Sequence, residues 1–271
     1  MKAKNIFDVS QEVIVITGVS GGLGSVYARA FLDAGSKVVG LDITKSSALQ
    51  EIVNKYPENF FFQLTDITNK SALQDSLQAT LKKFKKITVL INNAAIDSPP
   101  SADQTENGPF ESYSEESWDK VLDVNLKSVF LCCQVFGGHM ASKKQGSVIN
   151  ISSIYGLVSP DQSIYSYRRK DDNESFFKPI AYSASKSGVL NLTRYLATYW
   201  AHSNVRVNSL TLAGVFNDQD DEFLAAYCKR IPIGRMANSS DYNGAVLFLS
   251  SQASSYMTGS NLIIDGGWTA I

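Results

Sequence analysis

Val13-Ile14-Val15-Ile16-Thr17-Gly18-Val19-Ser20-Gly21-Gly22-Leu23-Gly24 decides the fold. Four consecutive β-branched residues read as a strand covered on both faces. The glycine-rich turn after them lets the backbone bend tightly and meet an anion with no Cβ in the way. The apolar periodicity of 23–34 then predicts a helix, whose N-terminus offers unpaired N–H groups and partial positive charge. The same alternation continues along the chain. Strands are expected at 13–16, 37–42, 60–64, 87–92, 147–152, 205–210 and 262–265, and helices at 23–34, 45–56, 69–84, 117–141, 182–202 and 239–251. This order predicts an α/β fold, a doubly wound parallel sheet of about seven strands with helices on both faces. No composition break or solenoid repeat divides the chain, so residues 1–271 are expected to form a single domain.

Composition narrows the function classes. Of 271 residues, 44% are hydrophobic and 19% charged, the profile of an ordinary globular protein. Lys plus Arg number 25 against 26 Asp plus Glu, a net charge of -1, so neither a nucleic acid nor an anionic membrane surface is an expected partner. Cys132 and Cys133 are adjacent, no CxxC pair occurs, and His139 and His202 are the two histidines. Neither a disulfide scaffold nor a metal site is expected, and a reduced cytoplasm suits the chain. Asp8 and Glu12 interrupt any secretory signal, and Gln134 with Gly137-Gly138 breaks the apolar run 129–140, which reads as a buried helix.

Three clusters carry chemistry. The turn of Gly18, Ser20, Gly21, Gly22, Leu23 and Gly24 suits a pyrophosphate. Asp42 closes the second strand, where a carboxylate accepts hydrogen bonds from ribose hydroxyls and repels a 2′-phosphate. No basic residue stands in the turn, so NAD is expected over NADP; the competing reading makes Asp42 a helix cap. In Tyr182-Ser183-Ala184-Ser185-Lys186, the phenol and ammonium are four apart and share one helix face. A free phenol has a pKa near ~10, and a nearby ammonium favours its phenolate. Ser153 adds a hydroxyl at the C-terminal end of the fifth strand, where open α/β sheets bind ligands.

With Asp66-Ile67-Thr68, Asn92-Asn93-Ala94-Ala95, Asp123-Val124-Asn125-Leu126, Ile151 through Gly156 and Asp265-Gly266-Gly267 in order, the whole chain resembles the short-chain dehydrogenase/reductase family, in its single-domain branch with a Rossmann fold. The resemblance implies that Tyr182 is the general acid/base. Lys186 would bind the nicotinamide ribose and lower the Tyr182 pKa, and Ser153, rather than Ser152, would hydrogen-bond the substrate oxygen. Asn125 would hold a water linking Lys186 to solvent, although a polar residue satisfying a helix kink is compatible with its position. Gly18, Gly22, Leu23 and Gly24 match the pyrophosphate turn. Asp66 and Ile67 match the adenine pocket, Asn93, Ala94 and Ala95 the ribose side, and Val215 the nicotinamide side. A homodimer or homotetramer built through the helices carrying Asn125 and Tyr182 is also implied. Leu190, Leu196, Tyr199 and Trp200 would serve there as core or interface.

The chain also departs from the pattern. Ala95 stands where a glycine is usual, which is harmless if its φ is negative. Leu212-Ala213 replaces a Pro-Gly beside the nicotinamide. The 29 residues from Ser153 to Tyr182 exceed the usual spacing, and the excess lies in an insertion at 159–179 expected near the substrate cleft. Tyr165, Tyr167 and Arg168-Arg169-Lys170 are available there to meet a phosphorylated or sugar-like substrate; a solvated flap or subunit contact is the default reading of such a charge run. The expected function is interconversion of a secondary alcohol and a ketone on a small polar molecule. The alternatives are a non-catalytic NAD-binding sensor, or an epimerase or dehydratase that recycles its NAD.

Overall fold

The computed structural model describes residues 5–97, 104–168 and 176–271. The main elements are β1 (Val13–Thr17), α1 (Gly22–Asp33), β2 (Lys37–Asp42), α2 (Ser47–Lys55), β3 (Phe60–Leu64), α3 (Lys70–Phe84), β4 (Val89–Asn92) and α4 (Glu115–Ser142). They continue with β5 (Gly146–Ser153), α5 (Ile180–Tyr199), β6 (Val205–Leu212), α6 (Asp221–Cys228), α7 (Asn243–Ser250) and β7 (Asn261–Ile264). All seven strands are parallel, in the order β3-β2-β1-β4-β5-β6-β7. The direction of winding reverses between β1 and β4, and the carboxyl ends of the strands flank a crevice there.

Alternation along each strand explains the unbroken apolar runs, because successive side chains enter opposite layers. Val13 and Val15 join Val39, Leu90, Val148 and Val207 under α3, α4 and α5. Ile14 and Ile16 join Val38, Ile91, Ile149 and Leu210 under α1, α2 and α7. Leu190, Leu196 and Trp200 are buried, whereas Tyr199 is exposed.

Element ends follow local chemistry. The Asn69 side chain accepts from Ser71 N and Ala72 N, so it caps α3 instead of starting it. β4 begins at Val89, two residues later than the pattern suggests, because the Thr88 hydroxyl takes up Val13 N at 2.9 Å. α5 starts at Ile180 behind Pro179 and stops at Tyr199; Asn204, with φ 54°, turns the chain into β6. The periodicity missed α6, a short helix between loops. α4 is interrupted by π turns at Asp123–Lys127 and Cys133–Gly137. By length and composition α4 would cross a membrane, but 56% of its apolar stretch is buried in the fold.

The described part of the insertion is packed. Ile164, Tyr165 and Phe176 enter a third apolar cluster with Tyr227, Ile231 and Trp268. The Tyr165 ring lies 4.8 Å from Phe176 and 5.8 Å from Phe223 of α6. A solvated flap is therefore the wrong description for these residues. Arg168 pairs with Asp220, which also accepts from the Tyr167 hydroxyl at 3.0 Å, and neither Tyr167 nor Arg168 lines the crevice at the carboxyl ends of the strands. Arg169 and Lys170 lie outside the described residues.

At Gly137 a Cβ would sit 2.5 Å from the buried Trp200 ring. Gly137→Ala is expected to destabilise the fold by about 1–3 kcal/mol through overpacking. Thermal denaturation followed by circular dichroism should show a melting point several degrees lower; an unchanged one would mean that Trp200 yields freely.

Candidate active site

The crevice above β1 and β4 is a cavity of about 790 Å³ that runs from the glycine turn to the insertion. The turn has the shape its glycines predict. Gly18 has φ +67°, and a Cβ there would meet Ala94 Cα at 2.8 Å. A Cβ on Gly24 would collide with the Gly18 carbonyl, so Gly24 serves the close packing of α1 on β1 and does not line the cavity. Space above Gly22 is open, with nothing within 4 Å of a Cβ. Gly21 precedes α1 with no side-chain cap, which leaves the first N–H groups for an anion. Gly18, Ser20, Gly21, Gly22 and Leu23 all face the cavity.

At the adenosine end, Asp42 accepts from Ser20 N at 2.9 Å and from Thr44 N at 3.2 Å. It does not cap α2, whose N-cap is Ser46. Its carboxylate therefore holds the glycine turn against β2 while still lining the cavity. Asp66 accepts from Thr68 N at 2.9 Å and, with Ile67, forms the neighbouring wall. Asn93 bonds Thr17 O and Gly18 O through its amide, and Ala94 and Ala95 follow along the floor. Ala95 is not among the residues with positive φ, so the missing glycine causes no strain. A phosphate cradle, a carboxylate at ribose height and a long cavity make the described residues fit a nicotinamide dinucleotide.

At the other end, Ser153, Tyr182 and Lys186 line the same cavity. Ser152 donates to Lys186 O at 3.0 Å and is thereby committed, whereas Ser153 faces the phenol of Tyr182. Lys186 Nζ lies 5.8 Å from the centre of the Tyr182 ring and donates to Ile151 O at 3.0 Å. Burial pushes the Lys186 ammonium down to about 8. Burial also pushes the Tyr182 phenol above its usual value, with Asp97 adding to the rise and the Ser153 hydrogen bond opposing it. Burial is thus the largest influence on the Tyr182 phenol, and it acts against the lowering expected from Lys186.

Asn125 does not line the cavity. It is fully buried in the first π turn of α4. It accepts from Ile96 N and donates to Ile96 O, both at 2.8 Å, and also donates to Ser185 Oγ at 3.3 Å. Both amide hydrogens are spent, so Asn125 clamps the main chain just before Asp97. Val215 reaches the cavity from the loop after β6. No Pro-Gly is needed there: Tyr242 donates to Ala213 O at 3.0 Å, and Tyr227 accepts from Gly214 N at 2.7 Å.

Sequence reasoning missed Asp97 and Lys178, which form an ion pair in the cavity wall beside Tyr182. It also missed Tyr155, Phe223 and Tyr227 as lining residues. Lys178 stands four before Tyr182, but Pro179 separates it from α5, so helical spacing carried no signal.

Residues 18–269 match the family model described as enoyl-(acyl carrier protein) reductase. The chain is 33% identical to the 2-dehydro-3-deoxy-D-gluconate 5-dehydrogenase of Bacillus subtilis, over 97% of this chain and 96% of that protein. A short chain dehydrogenase of Leptospira borgpetersenii, solved with bound NAD+, is similar at a TM-score of 0.86 and 32% identity. That match covers 99% of this chain and 97% of that one. A Beutenbergia cavernae protein solved with NADP at low occupancy is similar at a TM-score of 0.83 and 28% identity, over 98% and 100% of the two chains.

Asp97 holds the Tyr182 proton on, so removing its charge should ease ionisation. If Tyr182 is the base that takes an alcohol proton, the rate of alcohol oxidation rises with pH as the phenol ionises. Asp97→Asn is expected to move that rising limb to lower pH, read from kcat/KM against pH. A limb that stays in place or moves up would remove Asp97 from the electrostatics of Tyr182.

Proposed function

This chain belongs to the short-chain dehydrogenase/reductase family, and on that footing we propose that it is an NAD-dependent enzyme interconverting a secondary alcohol and a ketone on a sugar or other polar substrate. One observation carries the reading: Ser153, Tyr182 and Lys186 share a cavity with the glycine turn and Asp42. Gly18, Ser20, Gly21, Gly22 and Leu23 would hold the pyrophosphate. Asp42, Asp66 and Ile67 would hold the adenosine half, and Asn93, Ala94, Ala95, Lys186 and Val215 the nicotinamide half. When bound, the nicotinamide supplies hydride transfer.

The chain's own task is the proton. Tyr182 gives its phenolic proton to the carbonyl oxygen in reduction and takes the alcohol proton in oxidation. Ser153 donates to the same oxygen and fixes its position. Lys186 stabilises the phenolate as it forms and, with a value near 8, is poised to pass protons onward. A relay past Asn125 would use its remaining acceptor capacity, since both amide hydrogens are engaged. Asp42 favours NAD, because a 2′-phosphate beside that carboxylate meets like charge.

The exposed Phe130, Tyr195 and Tyr199 on α4 and α5 support a homodimer or homotetramer through those helices. A cytoplasmic location accords with the free thiols of Cys132, Cys133 and Cys228.

The test is a screen of alcohols and keto-sugars with NAD and NADP in parallel, read by nicotinamide absorbance. Tyr182→Phe is expected to lower turnover by about 10²–10⁴-fold while leaving dinucleotide affinity nearly intact; substantial residual activity would mean that another group moves the proton. Asp42→Asn should raise the NADP to NAD ratio of kcat/KM, and an unchanged ratio would refute the role of its charge.

A further inference from the structure

Two side-chain amides on separate elements clamp the main chain on either side of the cavity mouth. Asn125 grips Ile96 through both its N–H and its C=O, which sets the position of Asp97. Gln162, in the insertion, accepts from Lys178 N at 2.8 Å and donates to Lys178 O at 3.4 Å. The two clamps bring the Lys178 ammonium onto the Asp97 carboxylate. The ammonium lies 5.2 Å from the centre of the Tyr182 ring. Its side chain is 12% exposed and that of Asp97 33%, and both face the cavity.

The Lys178 side chain is nearly buried, but Asp97 is exposed, so the pair keeps one face open to the cavity. An ion pair with an exposed carboxylate adds little to stability, because water screens it and a long lysine side chain must be held in one geometry. Here the pair is held by dedicated clamps next to the group assigned to proton transfer, which points to recognition. Its charges cancel, so it offers one strong acceptor and one strong donor side by side with no net charge. Among the described residues, the other cations around the insertion are engaged elsewhere: Arg168 with Asp220, and Arg230 with Asp161. Burial keeps the phenols of Tyr155 and Tyr165 protonated and neutral. Phe223 and Met236 add apolar surface for C–H groups.

We propose that Asp97 and Lys178 together read a pair of neighbouring hydroxyls, Asp97 accepting from one and Lys178 donating to the other, so that the enzyme selects neutral polyhydroxy substrates. The selection rests on the dehydrogenase reading above. A carboxylate or phosphate at this place would face Asp97 as a like charge and could reach Lys178 only by displacing it.

The experiment compares kcat/KM with NAD for neutral polyols (glycerol, D-arabitol, D-sorbitol), for D-gluconate and for 2-butanol. The wild-type protein, Asp97→Asn and Lys178→Met are measured at one pH, with NADH fluorescence titration as the check on folding. The wild-type protein should favour the best polyol over both gluconate and 2-butanol. Each variant should lower the polyol to 2-butanol ratio by about tenfold or more, mainly through KM, because a hydrogen bond to a charged group is lost. Asp97→Asn should also raise gluconate relative to the polyol. A wild-type preference for gluconate, or ratios unchanged in both variants, overturns the proposal. If NADH binds and no alcohol is oxidised, the dehydrogenase reading fails instead. Calorimetric titration of the same polyols into the NADH-loaded protein then decides: weaker binding by Lys178→Met supports the hydroxyl reader, and equal or absent binding to the wild-type protein overturns it.

Discussion

The Thr17 hydroxyl accepts the backbone N–H of both Asn93 and Ala94 at 3.0 Å, tying the end of β1 to the end of β4 where the winding of the sheet reverses. This double hydrogen bond holds the crevice in register. Gly18 can approach Ala94 closely only because it has no side chain and tolerates φ +67°. From that seam the phosphate cradle faces one way, and the main chain of 93–97 leads the other way toward Tyr182. Cofactor and substrate ends therefore share one frame of reference, set by a hydroxyl and a glycine.

Electrostatics in the substrate end is governed by burial first and by pairing second. Desolvation raises Tyr182 and lowers Lys186, each toward its neutral form, before any partner is counted. Next to a buried ammonium and a phenol raised by burial, the remaining charges of the cavity wall matter. Asp97 is such a charge, and the Lys178 ammonium balances it. The insertion thus contributes more than a covering. It buries Ile164 and Tyr165 against Tyr227 and uses Gln162 to set Lys178 in place.

Much of this architecture was legible because it rests on local rules. The runs at 13–16, 37–42 and 60–64 became strands within a residue of their expected bounds. Fully sandwiched parallel strands need apolar side chains on both faces, and few other patterns mimic that. The helix expected at 69–84 formed one residue later, with Asn69 as its cap. The Tyr182 and Lys186 pair was legible as one helix face. The strand beginning at Val89 was less so, because the Thr88 hydroxyl substitutes for a ladder bond across 75 residues of sequence.

What the sequence by itself determined was the order of strands and helices, the glycine turn, and the identity of the groups gathered at the carboxyl edge, since each follows from side chains a few residues apart. Tertiary structure alone decided how those groups behave. Whether Lys186 or burial dominates Tyr182 depends on how much water the fold removes. The pairing of Asp97 with Lys178, and of Arg168 with Asp220, depends on segments 81 and 52 residues apart meeting in space. Charge interacts through distance and dielectric, and neither is written in the local spacing of residues.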